Sequence, residues 1–109
     1  MNAINIDYAL MTDLYQLTMA QGYWRQGKLD EPACFVMYFR NNPFQGGYAV
    51  ACGMDQLAEM VETYQFTPEN CAYLESLDAP LGGKLFDPAF IEYLGNMRFT
   101  CDIDAVTEG

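Results

Sequence analysis

Apolar side chains between residues 12 and 26 recur at helical spacing and predict the first helix of the chain. Thr12 is placed to cap this helix, and Asp13 lies in its first turn, where a negative charge meets the helix dipole favourably. Apolar residues cover a wide arc, so we expect the helix to pack on more than one side. They form two adjoining stripes, Leu10, Leu14, Leu17 and Trp24 beside Tyr15, Met19 and Tyr23.

Three other segments predict extended backbone. Residues 33–39 form an uninterrupted apolar run between Pro32 and an Asn-Asn-Pro turn, which is typical of a strand buried on both faces. Residues 48–52 predict a second, shorter extended piece. In residues 99–106 apolar and polar side chains alternate, as in a half-exposed strand. Asp102 and Asp104 share one face of that strand, where we expect them to face water rather than to act in catalysis.

The middle of the chain carries clear helix signals. An amphipathic pattern begins at Met54 and runs to Tyr64, with its acidic residues on the polar face. Thr67-Pro68 and Asp87-Pro88 each pair an N-cap residue with proline at the first helical position, so two short helices are predicted, joined by a loop at Gly82-Gly83. Helices between widely separated strands predict an α+β fold, with helices packed on a small mixed sheet.

Composition narrows the class of protein. The chain has 109 residues, enough for one small domain, and 51% of them are hydrophobic, which excludes a disordered segment. Five basic residues stand against 15 acidic ones, a net charge of −10. Such a surface repels phosphate backbones and anionic lipid, so we expect neither a nucleic-acid nor a membrane partner.

The four cysteines are widely spaced, and the chain has no histidine, so no metal site is expected. Three of the cysteines lie inside apolar runs, where free thiols pack as small hydrophobic side chains. We therefore expect reduced thiols in the core of a cytoplasmic protein. Neither a signal peptide nor a run of apolar residues long enough to span a membrane is visible.

Little catalytic equipment can be recognised from the residues alone. Phosphate-binding glycine motifs are missing, and without histidine no Ser-His or Cys-His pair can form. Arg40 ends the predicted strand 33–39 just before a glycine-containing loop, where it can either present its guanidinium to an anion or be an ordinary surface arginine. Tyr15 fits first as a core side chain. These patterns predict an acidic α+β domain but do not identify an activity.

Residues 9–24, ALMTDLYQLTMAQGYW, closely resemble the start of nicotinate phosphoribosyltransferases. The similarity continues in order through F-R-x-x-P-F at residues 39–44, G-G-Y-A at residues 46–49 and L-F-D-P at residues 85–88. Thr107-Glu108-Gly109 stands where members have Pro-Glu-Gly. The combination of T-D-L-Y-Q with F-R-x-x-P-F is specific, whereas either motif alone is weak. One departure is Gln45, since the family's usual motif there is F-G-G-G.

The resemblance implies the N-terminal α/β domain of a type II phosphoribosyltransferase that acts in NAD salvage. Such enzymes transfer phosphoribosyl from phosphoribosyl pyrophosphate to nicotinate, giving nicotinate mononucleotide and pyrophosphate. The transfer is coupled to hydrolysis of ATP, with Mg²⁺, through a phosphorylated histidine. Members are homodimers whose active site lies between subunits. Residues 1–109 would then form an incomplete N-terminal domain that stops before the phosphate-binding barrel, holds no catalytic residue, and is inactive alone.

Three substrate-binding residues follow from the resemblance. Tyr15 matches the tyrosine that stacks on the pyridine ring, Asp13 lines the same pocket, and Arg40 matches an arginine that approaches the phosphate groups. Two alternatives remain. A nicotinamide phosphoribosyltransferase shares the T-D-x-Y element, although Leu14, Gln16 and the F-R-x-x-P-F-x-G-G segment favour nicotinate. The other alternative is a non-catalytic dimerisation or binding module.

Overall fold

The structure, a computed structural model, describes residues 7–106. In this range the chain forms four α-helices and one short 3₁₀ turn at Pro43–Gln45. The α-helices are α1 (Leu14–Arg25), α2 (Met54–Thr63), α3 (Pro68–Glu75) and α4 (Pro88–Asn96). All four lie where the sequence predicts a helix, from apolar periodicity for α1 and α2 and from the cap signals for α3 and α4.

The starts of α3 and α4 confirm the predicted caps. The Asn70 backbone N–H donates to Thr67 Oγ1 at 3.2 Å, and the Thr67 N–H donates back to Asn70 Oδ1 at 2.8 Å, which forms a capping box. At α4, the Ala89 N–H donates to Asp87 Oδ1 at 2.9 Å. Proline follows the cap in both helices and lacks the N–H that would otherwise be left unpaired.

The start of α1 differs from the prediction by one residue. Asp13, rather than Thr12, is the N-cap, with extended backbone angles of φ −81° and ψ 145°. Its backbone N–H donates to Gln16 Oε1 at 3.1 Å. A carboxylate is as good a cap as a hydroxyl, so a Thr-Asp pair leaves the exact start of a helix open by one position.

A tight turn joins α3 to α4 and folds them into a helical hairpin. The Leu85 N–H donates to Leu77 O at 3.0 Å, and the Ala79 N–H donates to Gly83 O at 2.9 Å. Gly82 and Gly83 both have positive φ, 101° and 77°, a conformation that side chains with a Cβ rarely adopt. The predicted glycine loop between the two helices is thus confirmed.

The core lies where α1 meets the α3–α4 hairpin. Phe90 is its centre, with ring centroids 5.6 Å from Trp24 and 6.1 Å from Phe86. Leu74 and Phe86 are each only 1% exposed. α2 contains no fully buried residue and adds little to this core. The buried hydrophobic residues are Ala9, Leu17, Phe66, Leu74, Phe86, Phe90, Ile91 and Leu94.

The predicted small mixed sheet is not formed by residues 7–106, where the only β pairing is an isolated bridge between Asp78 and Lys84. The run 33–39, predicted to be buried, is exposed, with Phe35 at 92% and Met37 at 79%. Residues 48–52 and 99–106 likewise have no regular structure. A strand forms only when a second backbone satisfies its N–H and C=O groups, and no segment between residues 7 and 106 pairs with these three.

These extended segments also enlarge the molecule. The radius of gyration is 16.9 Å, whereas a compact domain of this length has one of about 13 Å. The described residues thus combine a small helical core with exposed extended segments that form no strand. The family match at residues 107–109 lies outside the described residues.

The exposed run 33–39 should make the chain associate through backbone pairing, because it combines β-forming side chains with no charge and no proline. Val36→Lys should reduce this association and change the free energy of unfolding by less than about 0.5 kcal/mol, since Val36 is 77% exposed. Light scattering during concentration would measure the effect. Leu81→Lys is the control, because Leu81 is fully exposed but lies outside the run. Equal effects of both variants would contradict a role for the run.

The environment of the cysteines differs from the prediction. All four are free, but Cys34, Cys52 and Cys101 are exposed, and only Cys71 is partly buried. The apolar runs that were expected to bury these thiols lie on the surface. Burial, followed by the nearby Glu75 carboxylate, raises the pKa of the Cys71 thiol.

Cys71 should consequently be the slowest thiol to alkylate. A raised pKa leaves less thiolate at neutral pH, and partial burial limits access, so we expect it to react about tenfold more slowly than the three exposed thiols. Its rate should keep rising to higher pH than theirs. Mass spectrometry of iodoacetamide adducts over time would show this, with the urea-unfolded chain as control. Equal rates for all four thiols in the folded chain would contradict it.

Candidate functional site

Tyr15 lies on the first turn of α1 with its side chain toward solvent. It is 59% exposed and makes no ring contact with another aromatic residue in the described part of the chain. The neighbouring residues of its stripe, Met19 and Tyr23, are 49% and 50% exposed. Tyr15 is therefore not a core residue, and the second apolar stripe of α1 is a surface.

The opposite face of α1 faces the core. Leu17 and Gln21 are buried, at 9% and 5% exposure, and Trp24 packs on Phe90. The wide apolar arc of the sequence thus corresponds to one buried and one exposed face. The exposed face is held rigidly because the other is packed.

Asp13 lies at the very start of α1, two residues before Tyr15, and is exposed. The Thr12 hydroxyl donates to Gln16 Oε1, the same oxygen that accepts from the Asp13 N–H. This arrangement fixes the backbone of the first turn. Asp13 and Tyr15 therefore both lie at the N-terminal end of a well-anchored helix.

Arg40 lies at the end of the exposed run 33–39 and is itself exposed. Among the described cations, Lys28 pairs with Glu31 at 3.5 Å and Lys84 pairs with Asp78 at 3.4 Å. Arg98 donates to the carbonyl oxygens of Gly95 and Met97. The guanidinium of Arg40 makes no hydrogen bond or ion pair with a residue between 7 and 106. It is thus available to an anion.

The loop after Arg40 departs from ordinary backbone geometry. Phe44 and Gln45 have positive φ, 56° and 55°, and Gly47 has φ 78°. Holding a residue with a Cβ in this left-handed region costs about 1–2 kcal/mol. Gln45 is the position where the resemblance leads one to expect glycine, which adopts this conformation freely. The loop thus holds two residues with a Cβ in a conformation that glycine adopts freely.

Two of the three predicted residues lie at the N-terminal end of α1: Asp13 is its N-cap and Tyr15 lies in its first turn. No hydrogen bond, ion pair or ring contact connects Arg40 to either of them. Two cavities lie elsewhere in the structure. One of about 570 Å³ lies between α3 and α4, over Cys71 and Ile91, and another of about 520 Å³ adjoins it. Neither is lined by Asp13, Tyr15 or Arg40.

Two buried polar side chains were missed by the sequence analysis. Gln21 and Asn70 are only 5% and 4% exposed, and both are fully engaged in hydrogen bonds. The signal for Gln21 was available, because it follows Leu17 by four residues on the core face of α1. Asn70 carried no comparable signal.

The described residues offer no place for a metal ion. Between residues 7 and 106 there is no group of three or more His, Cys, Asp or Glu side chains that could hold one. Nor does that range include a helix both long enough and apolar enough to cross a membrane.

The comparisons of this chain with known proteins all point to the same family. Residues 10–109 match the family described as the nicotinate phosphoribosyltransferase (NAPRTase) N-terminal domain. A nicotinate phosphoribosyltransferase of Caenorhabditis elegans is 38% identical over 92% of this chain, and the human one is 39% identical over 78%. The Bacillus subtilis enzyme is 43% identical over 62%. The chain spans only 17%, 15% and 14% of the lengths of these three relatives.

Proposed function

This chain belongs to the nicotinate phosphoribosyltransferase family, and we propose that it forms the N-terminal domain of an enzyme that makes nicotinate mononucleotide. The proposed reaction transfers phosphoribosyl from phosphoribosyl pyrophosphate to nicotinate and releases pyrophosphate. At the level of the family this is a step of NAD salvage. The observation that carries the proposal is Tyr15, whose ring is exposed on a helix that is packed on its other side.

The role proposed for Tyr15 is to stack on the pyridine ring of nicotinate. The ring is flat and electron-poor, and offset stacking on a phenol adds about 0.5–1.5 kcal/mol beyond the buried area. A helix that is fixed by its core face presents the phenol at little cost in conformational entropy. No aromatic neighbour in residues 7–106 competes for the ring, as its exposure and the ring contacts of this region indicate.

Arg40 is proposed to bind a phosphate group of phosphoribosyl pyrophosphate. Both substrates are anions, and a chain with a net charge of −10 repels them at long range. Local cations are therefore the groups that can attract them, and Arg40 is one that has no hydrogen-bond or ion-pair partner among residues 7–106. A guanidinium binds phosphate oxygens through two parallel hydrogen bonds, which fixes orientation as well as position.

Asp13 is proposed to line the same pocket at the start of α1. As N-cap, its side chain lies in the favourable field of the helix N-terminus, two residues before Tyr15. The negative charge of Asp13 repels the carboxylate group of nicotinate and so disfavours orientations that bring the two groups close. We infer that Asp13 contributes to the orientation of nicotinate rather than to its affinity.

The remaining parts of the site are proposed to lie outside this chain. The chain has no histidine that could be phosphorylated, and residues 7–106 contain no group of three or more His, Cys, Asp or Glu side chains that could hold a metal ion; we propose that ATP and Mg²⁺ bind to the part of the enzyme outside this chain. We propose a homodimer in which the exposed face of α1 completes the site of the partner subunit.

Four free thiols, three of them exposed, support a location in the reducing cytoplasm. The 109-residue chain alone should be inactive.

A substrate assay of the complete natural protein tests the proposal. With phosphoribosyl pyrophosphate, ATP and Mg²⁺ we expect nicotinate, but not nicotinamide, to be converted to its mononucleotide, which mass spectrometry would detect. Reactions without phosphoribosyl pyrophosphate are the control. Turnover of nicotinamide alone would move the protein to the nicotinamide enzymes. Turnover of neither would favour a non-catalytic dimerisation or binding module.

A further inference from the structure

Gln21 connects α1 to the segment that leads into α4. Its Nε2 donates to Leu85 O at 3.2 Å, and its Oε1 accepts from the Asp87 N–H at 2.6 Å. The side-chain amide thus binds the C=O of one residue and the N–H of the residue two positions later. This is the pairing that a neighbouring strand would offer to an extended backbone.

Glutamine is the residue type that this arrangement requires. A carboxylate of the same length accepts from Asp87 but has no proton to give to Leu85 O, and a methionine of similar size does neither. Gln21 is 5% exposed, so water does not replace a lost partner. Since Asp87 is also the N-cap of α4, the side chain of Gln21 links the middle of α1 directly to the start of α4.

A second buried amide holds the chain just before α1. Asn70 Nδ2 donates to Asp7 Oδ2 at 2.6 Å, and Asp7 Oδ1 accepts from the Ala9 N–H at 3.3 Å. Asn70 itself is fixed by the capping box of α3. α1 is thus hydrogen-bonded to α4 through its own core face and to α3 through the residues that precede it.

We propose that Gln21 is a positioning residue for the nicotinate site: by fixing the rotation of α1 about its axis, it sets the direction in which Tyr15 presents its ring. Tyr15 and Gln21 are six residues apart, which places them about 120° from each other around the helix axis. Packing of Leu17 and Trp24 alone permits small rotations, because apolar contacts are not directional. The two hydrogen bonds from Gln21 to fixed backbone atoms do not permit such rotations. This inference rests on the proposed function.

Kinetics of the complete protein test it. Gln21→Met should raise the KM for nicotinate about fivefold and leave the KM for phosphoribosyl pyrophosphate within twofold. Gln21→Glu keeps the bond from Asp87 but sets a carboxylate oxygen against Leu85 O, so it should raise the KM for nicotinate as well. Leu74→Val, a core change in α3, is the matched control, because it should lower the melting temperature without turning α1. If Leu74→Val raises the KM for nicotinate as much, the role of Gln21 is only structural and the proposal is overturned.

A double-mutant cycle with Tyr15 makes the test specific. If Gln21 acts through Tyr15, Gln21→Met should have no further effect on the KM for nicotinate once Tyr15 is alanine. Equal effects in both backgrounds would overturn the proposal. The same is true if Tyr15→Ala raises the KM and Gln21→Met does not. No response to Tyr15→Ala itself would instead refute the proposed placement of Tyr15, and the two failures are thereby distinguished. Should Gln21→Met not fold, the same cycle with Gln21→Glu decides.

Discussion

Replacing Phe90 by alanine is expected to lower the free energy of unfolding by about 3–5 kcal/mol. Phe90 is 1% exposed and stands between Trp24, Phe86 and Tyr93, with centroid distances of 5.6, 6.1 and 6.4 Å. Its removal leaves a cavity at the point where α1 meets α4. Small domains have a free energy of unfolding of about 5–15 kcal/mol. The substitution would therefore remove a large part of the free energy of unfolding of this chain.

Urea denaturation followed by far-ultraviolet circular dichroism measures this loss. Tyr73→Ala is the matched control, since Tyr73 is an aromatic residue on α3 that is 56% exposed. That variant should change the free energy of unfolding by less than about 0.5 kcal/mol. A loss below about 1 kcal/mol for Phe90→Ala would contradict the placement of the core between α1 and the α3–α4 hairpin.

Tyr15→Ala is expected to raise the KM of the complete protein for nicotinate about tenfold, with a much smaller effect on phosphoribosyl pyrophosphate. The loss combines the stacking energy of about 0.5–1.5 kcal/mol with the apolar area of the ring, and 1.4 kcal/mol corresponds to a factor of ten. The stability of the protein should hardly change, because Tyr15 is 59% exposed. Initial rates at varied nicotinate would measure it.

Tyr23→Ala is the control for that experiment. Tyr23 lies two turns later on the same exposed stripe and is 50% exposed, so it matches Tyr15 in type and environment. If both variants raise the KM equally, the stripe acts as a general surface and Tyr15 has no particular role. Unchanged kinetics for both substrates in Tyr15→Ala would remove Tyr15 from the site.

Helices were predictable from the sequence because their determinants are local. The caps at Thr67 and Asp87, each followed by proline, fixed the starts of α3 and α4, and the glycines at 82 and 83 fixed the turn between them. Whether a segment forms a strand could not be predicted in the same way. Residues 33–39 have strand-forming side chains, yet pairing depends on a second backbone that the sequence of the segment does not specify.

The candidate site was predictable only through the resemblance. Periodicity placed Tyr15 on an apolar stripe of α1 and made it a core residue, because a two-sided apolar helix does not reveal which side faces solvent. The role of Gln21 was missed for a related reason. Its spacing from Leu17 indicates burial, but the sequence does not show which distant backbone atoms a buried polar side chain binds. That Arg40 lies in the same active site as Asp13 and Tyr15 stays a prediction.

The central claim is that these residues act as one part of a larger transferase, and the intact mass of the natural protein tests it most directly. The 109-residue chain has a mass of 12.3 kDa and spans 14–17% of the three relatives compared above. We expect the protein isolated from its source cell to have a mass several times larger, which would leave room for a phosphate-binding barrel and a catalytic histidine. A mass of 12.3 kDa would contradict the account and favour a stand-alone binding module.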